Sequence, residues 1–228
     1  FKDSADTVVQ NAKEAYKTAG MDANTYMETV TGFSASLLQS LGGDTQKAAK
    51  QSDMAIRDMS DNANKFGTNI QDIQNAYQGF AKQNYTMLDN LKLGYGGTKK
   101  EMERLLEDAT KISGIEYNID SLSDVYDAIH VIQEEMGVTG TTAKEAAETF
   151  SGSFDSMKAA ALNFLGDIAL GEDVGPALEA LTETTLTFLL DNFLPMIGNV
   201  VKSIPDVVST AIKVILPRLI TVGQDILK

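Results

Sequence analysis

Glycine sets the outline of this chain. Single or clustered glycines fall at Gly20, Gly42–Gly43, Gly94–Gly97, Gly114, Gly137–Gly140 and Gly171–Gly175. Between them, apolar residues recur every three or four positions. Tyr26, Val30, Phe33, Leu37 and Leu41 form one row, and Ala55, Met59, Ala63 and Phe66 another. Ile70, Ile73, Tyr77, Phe80, Asn84, Met87 and Leu91 form a third, and Leu122, Val125, Ile129, Ile132 and Met136 a fourth. The most regular row is Ala143, Ala147, Phe150, Phe154, Met157, Ala161 and Phe164. Each row places one apolar stripe along one helix face, and glycine ends helices because it alone enters the left-handed region without steric cost. The spacing predicts an all-α fold, a multi-helix bundle of amphipathic helices with glycine-rich corners. Ser113–Ile119 reads as a loop or one helical turn.

The restarts carry capping signals. Thr98-Lys-Lys-Glu101 and Thr142-Ala-Lys-Glu145 both fit a capping box, in which a hydroxyl accepts from a free backbone N–H and a glutamate reaches back. The first bears on the stretch LKLGYGGTKKEMERLLEDA, residues 91–109. A phosphate-binding loop needs G-x-x-x-x-G-K-[ST] after a buried strand. Here the glycine spacing is wrong, no hydroxyl follows Lys99–Lys100, and a helix precedes. The stretch reads as a corner, with Gly94 ending an Ile70–Leu91 helix and Thr98 capping the next.

Of the side chains, 32 are acidic and 19 basic, a formal net charge of −13. Binding nucleic acid relies on positive charge that displaces counterions, so no sequence-specific nucleic-acid partner is expected. The charge is uneven: residues 1–173 sum to −12 and residues 174–228 to −1. The chain is therefore read as two regions, an amphipathic helical module over 1–172 and an apolar helical segment over 173–228. From Leu186 the apolar residues occupy more than one face. A resting membrane span needs about 20 apolar residues without charge. Asp191, Lys202, Asp206, Lys213 and Arg218 interrupt the run, and Pro195, Pro205 and Pro217 are expected to break it. Two readings stay open for 186–227: short helices buried in a core or an oligomer interface, or a segment sheltered at rest and later inserted into a bilayer.

No catalytic constellation is legible. The chain contains no cysteine, which excludes thiolate nucleophiles and zinc–thiolate sites. His130 is the sole histidine, with Asp127 and Glu134 near it on one predicted helix; lacking a second histidine, it reads as a surface residue beside acids. Ser151-Gly152-Ser153 has no G-x-S-x-G frame and is expected on the polar side of its helix. The adjacent acids Glu107–Asp108 and Glu134–Glu135 point to different azimuths of a helix. The expectation is no enzyme, no catalytic, cofactor or metal site, and no cofactor.

The run NYTMLDNLKLGYGGTKKEMERLLEDA, 84–109, resembles a segment common in tail tape measure proteins of long-tailed bacteriophages of Gram-positive hosts. FGTNIQDIQNAYQGFAKQNYTML, 66–88, and TTAKEAAETFSGSFDSMKAAALNFLGDI, 141–168, are similar to that family as well. The likeness covers roughly residues 20–200, and LGYGGTKKEMERLL is its most specific part. The resemblance implies a structural virion protein that acts in tail assembly, length determination and DNA delivery across the host envelope. It implies a place in the tail lumen or tail tip, then in the host cell envelope after genome ejection. The implied partners are further copies of itself (a trimer or hexamer), tail tube and tail-tip or baseplate proteins, and the host membrane. A length ruler needs long uninterrupted helices at 1.5 Å per residue, whereas this chain breaks repeatedly. It is therefore expected to be a compact internal module of a longer protein. The alternatives are a membrane-active, pore-forming helical protein with a shielded apolar hairpin, and a helical lytic or peptidase domain.

Overall fold

The structure is a computed structural model that describes residues 4–203. Among them the fold is all-α, without strands. In chain order the helices are α1 (Ala5–Thr18), α2 (Ala23–Thr31), α3 (Ser34–Ser40), α4 (Thr45–Phe66), α5 (Ile70–Phe80), α6 (Lys99–Ser113), α7 (Leu122–Glu135), α8 (Thr141–Glu148), α9 (Phe150–Leu170), α10 (Gly175–Leu186) and α11 (Leu194–Ser203). A short 3₁₀ turn occupies Leu88–Leu91, and a π-helical stretch, Thr187–Phe193, joins α10 to α11. The portion of the apolar tract beyond Ser203, with Pro205, Asp206, Lys213, Pro217 and Arg218, lies outside the described residues.

The 22-residue α4 is the axis of the fold, packing against α1, α2, α3, α5, α7 and α8. Asp44 starts it by accepting from the Lys47 N–H at 3.0 Å, and Gly67 closes it at φ 62°. No glycine or proline interrupts the interval. Around it, Phe33, Tyr77, Phe80, Tyr85 and Tyr126 build an aromatic cluster. Phe33 meets Tyr126 edge-on at 5.6 Å, and Tyr77 lies 5.0 Å from Tyr126. Buried tyrosines need partners for their hydroxyls. Tyr126 donates to the Tyr77 carbonyl at 2.9 Å and Tyr85 to the Ile119 carbonyl at 3.0 Å. Leaving such a hydroxyl unpaired would cost about 1–3 kcal/mol each. The cluster belongs to the main core, whose buried apolar residues run from Val8 to Ile132. A smaller cluster joins Tyr16 of α1 to Ala159 and Ala160 of α9, with Ala180 and Leu181 of α10 against it.

The structure corrects four sequence readings. The Ile70–Leu91 row is not one helix. It stops at Phe80, Gln83 enters the left-handed region at φ 55°, and Asn84 and Met87 lie exposed. Tyr85, Leu88 and Leu93 enter the core in their place, and Leu91 is buried as the row implied. Gly94 has φ +85° but caps no helix; the 3₁₀ turn ends at Lys92, itself at φ 55°. The Thr142 capping box does not form. Gly140 precedes the first turn of α8, and the Thr142 hydroxyl is buried without a partner among the described residues. The Ala143–Phe164 row is split at Thr149, whose hydroxyl caps α9 by accepting from the Gly152 N–H at 3.0 Å.

A further correction concerns which face of α9 turns inward. Ser153, Ser156, Ala159 and Ala160 are buried, whereas Phe150 and Phe154 are exposed. Ser153 is thus in the core and not on a polar side. Small residues win because α8 approaches so closely: a Cβ on Gly152 would overlap the Glu145 backbone. Only a glycine there, beside a row of serines and alanines, admits the neighbouring helix at that distance.

The 94–104 corner is a packed unit. The Thr98 hydroxyl accepts from the Glu101 N–H at 3.2 Å, and the Glu101 carboxylate accepts from the Gly96 N–H at 3.1 Å. The reaching arm of the box therefore lands two residues earlier than the pattern implies. The Arg104 guanidinium lies over the Tyr95 ring, 4.3 Å from its centroid, and donates to the Gly94 carbonyl at 2.8 Å. A Cβ on Gly97 would collide with the Thr86 carbonyl. Gly97→Ala should therefore destabilise the fold by about 2 kcal/mol, the cost of forcing a tight packing site apart. Chemical denaturation checks this, and an unchanged midpoint would mean the corner has slack.

Candidate interaction surface

Many exposed apolar side chains lie on the last described helices. Phe150, Phe154, Leu162, Leu165, Ile168 and Leu170 of α9 are exposed, as are Leu178 and Leu186 of α10. Leu189, Leu190, Leu194 and Met196 continue the area onto the π-helical stretch and α11. Isolated exposed leucines are ordinary, but a contiguous set of this kind marks a surface that meets something else.

Its centre is aromatic. Phe188 lies 5.3 Å from Phe150, 5.4 Å from Phe154 and 5.7 Å from Phe193. The backbone explains the grouping. In an α-helix, residues five apart are rotated by about 140° at 3.6 residues per turn. The π winding over Thr187–Phe193 widens the turn, so Phe188 and Phe193 share a side. Asn192 holds the widened turn by donating to the Thr187 carbonyl and to the Ala147 carbonyl of α8, both at 3.1 Å. Helical backbone dihedrals continue through Leu194 at φ −64° and ψ −41°, so Pro195 does not break the helix as its sequence position implied. It sits in the first turn of α11, where its fixed φ is compatible with the helix and the π turn relaxes the carbonyl spacing ahead of its ring. Among the described residues no helix is long and apolar enough to cross a membrane.

The residues that sequence reading marked for chemistry do not converge. Glu134 and Glu135 are exposed at the end of α7. Asp108 pairs with Lys111 at 2.8 Å and accepts from the Tyr95 hydroxyl at 3.1 Å, leaving Glu107 apart. Burial, then this Asp108 bond, push the Tyr95 phenol up to about 12. Lys99 and Lys100 sit at the exposed start of α6. Among the described residues no three ligand-capable side chains form a metal-binding group.

His130 is the exception, and its partner was missed. It is half-buried, and its Nδ1 lies 2.8 and 3.0 Å from the two carboxylate oxygens of Asp58, a residue 1% exposed on α4. The pair borders a cleft of about 430 Å³ with Arg57, Asp61, Thr139 and Gly140. Asp127 does not reach the imidazole; it accepts from Gln51 at 2.7 Å. Burial lifts the Asp58 carboxyl to about 6 despite His130, and the Asp58 hydrogen bond holds the His130 proton above its ordinary value of 6.5. No pattern flags Asp58, because a lone aspartate between an exposed arginine and a methionine reads as solvent-facing.

Comparison with protein-family models, with curated proteins and with solved structures finds no match for this chain.

Both members of the pair take up a proton on folding. Their proton-linked stability is full in acid and is lost as pH rises, through about 6 for Asp58 and then through the raised His130 value. The His130 ring should titrate above 6.5 by NMR, and Asp58→Asn should lower that midpoint, since the Asp58 hydrogen bond and charge are lost and burial then opposes only the smaller pulls of Glu134 and Asp127. An unshifted midpoint in the variant would show that the pair does not form in solution.

Proposed function

We propose that this chain is a structural module of a tail tape measure protein of a long-tailed bacteriophage, acting in tail assembly and in DNA delivery across the host envelope. The observation that carries this reading is the build of the 94–104 corner. The residues of the most family-like run, LGYGGTKKEMERLL, are used on one another: Arg104 on Tyr95 and Gly94, Glu101 on Gly96 and Arg104, Gly97 against Thr86. A motif spent on internal packing suits a protein whose product is a shape. The exposed apolar face of α9–α11 supplies the contact surface that this role needs, toward further copies of the chain or tail-tip proteins. The acidic balance of residues 1–173 suits a module that shares a conduit with DNA and does not bind it.

A second reading is favoured by the same face. Aromatic and aliphatic side chains clustered on α9–α11 suit a membrane-active helical protein whose apolar helices enter a bilayer after release.

Two measurements separate the readings. An epitope placed in the loop at 114–118 should be labelled in tails of intact or tip-opened particles, and its absence from purified virions would overturn the tail assignment. The whole chain mixed with dye-loaded liposomes should leave them intact under the first reading, whereas rapid leakage by the isolated chain favours the second.

A further inference from the structure

The helices after Gly137 adhere to the rest of the molecule differently from the way the rest adheres to itself. No residue of helix α8 is fully buried. Its first turn is capped from another helix: the Asp61 carboxylate of α4 accepts from the Gly140 N–H at 2.6 Å and the Thr142 N–H at 2.8 Å. The Thr141 hydroxyl donates to the Asp61 carbonyl at 3.1 Å. Helix α9 is tied to α1 and α2 through Asn163, which accepts from the Ala23 N–H at 2.8 Å and donates to the Lys13 carbonyl at 3.4 Å. Lys13 reaches over to Glu172 at 3.0 Å and Asp167 at 3.9 Å. The buried apolar link across this boundary is small, with Tyr16 set against Ala159 and Ala160. A cleft of about 390 Å³ runs along the same boundary, lined by Met21, Ala63 and Ile70 on one side and by Ala146, Ala159 and Leu162 on the other.

The connection is equally localised. Val138 is fully buried and its N–H bonds the Gln133 carbonyl, so it anchors the end of α7. Gly137 at φ 63° and Gly140 at φ 83° flank it.

We propose that α8 to α10 form an arm that unlatches from the α1–α7 body as a unit, pivoting at Thr139–Gly140, with the Asp61 cap as its latch. Side-chain caps and exposed ion pairs break at far lower cost than apolar cores, and such boundaries define the cooperative units that open below global unfolding. Opening bares the aliphatic walls of the cleft, adding apolar surface next to the exposed face of α9. The proposal rests on the boundary alone and stands whether or not the tail reading does.

Amide hydrogen exchange tests it on the whole chain. Amides of α8 and α9 should exchange faster than those of α4 and α7, and Asp61→Ala should speed α8 and α9 by about tenfold while moving α4 and α7 less. The chain has no cysteine, so an Ala23→Cys and Asn163→Cys pair, placed where the Ala23 N–H meets the Asn163 side chain, would supply the sole thiols to oxidise. Oxidised, this variant should exchange at α8 and α9 as slowly as at α4 and α7; reduced, it should regain the faster rate. Equal exchange across all four helices, with no difference between oxidised and reduced forms, overturns the arm. This comparison decides the matter even if Asp61→Ala does not fold.

Discussion

The polar side chains buried along α4 are the constraint on which the rest of the structure depends. A central helix normally offers its neighbours an apolar stripe, and α4 does so with Ala55, Ile56 and Met59. It also buries Gln51, Asp58, Asp61 and Asn62. Gln51 donates to the Ser123 carbonyl at 2.8 Å, which fixes the start of α7. Asp58 grips the middle of α7 through His130. Asn62 donates to the Leu91 carbonyl and to Gln133, both at 2.9 Å, joining the 3₁₀ turn to the end of α7. Asp61 caps α8. Apolar burial is non-directional and supplies the driving force; these bonds set the register in which the helices stop.

The same helix thus divides the molecule. Toward α7 its polar groups work inside a dense aromatic core, where a broken bond leaves buried donors and acceptors unpaired. Toward α8 they work beside a cleft with little apolar support. The Asp58 carboxylate is therefore a structural clamp on α7, and the Asp61 carboxylate a release point for α8. The exposed aromatic face of α9 and the π turn lies on the weakly attached side, so the surface best suited to meet another molecule is also the part with most freedom to move.

Much of this was legible in the residues. The rows in α4 and α7 predicted their helices because tertiary packing used the stripe that the spacing offered. The corners at Gly114 and Gly171 close α6 and α9 at positive φ, as their positions implied. The failures have physical causes. At Asn84 and Met87 the three–four spacing continued across a turn, since periodicity does not register where hydrogen bonding stops. In α9 the large residues looked like the core face, but the packing partner came too close for them and took the serines and alanines. Asp58 and Asp61 read as solvent-facing charges because their partners, His130 and the Gly140 and Thr142 amides, lie 72 to 81 positions away. The part of the exposed surface on 186–196 lies in the tract that the sequence marked as core, interface or membrane-inserting, whereas its α9 part emerged only from apolar residues the core left out.

The stability of Asn62→Leu tests the role of the α4 polar row most directly. Leucine has the same branched heavy-atom skeleton and is wholly apolar, so if burial alone held the helices in place the change would be neutral or stabilising. If the row holds the chain ends, removing the two N–H donors leaves the Leu91 carbonyl and the Gln133 Oε1 unpaired, and equilibrium denaturation should show a loss of about 3 kcal/mol. A variant as stable as the parent, or more so, would contradict the account.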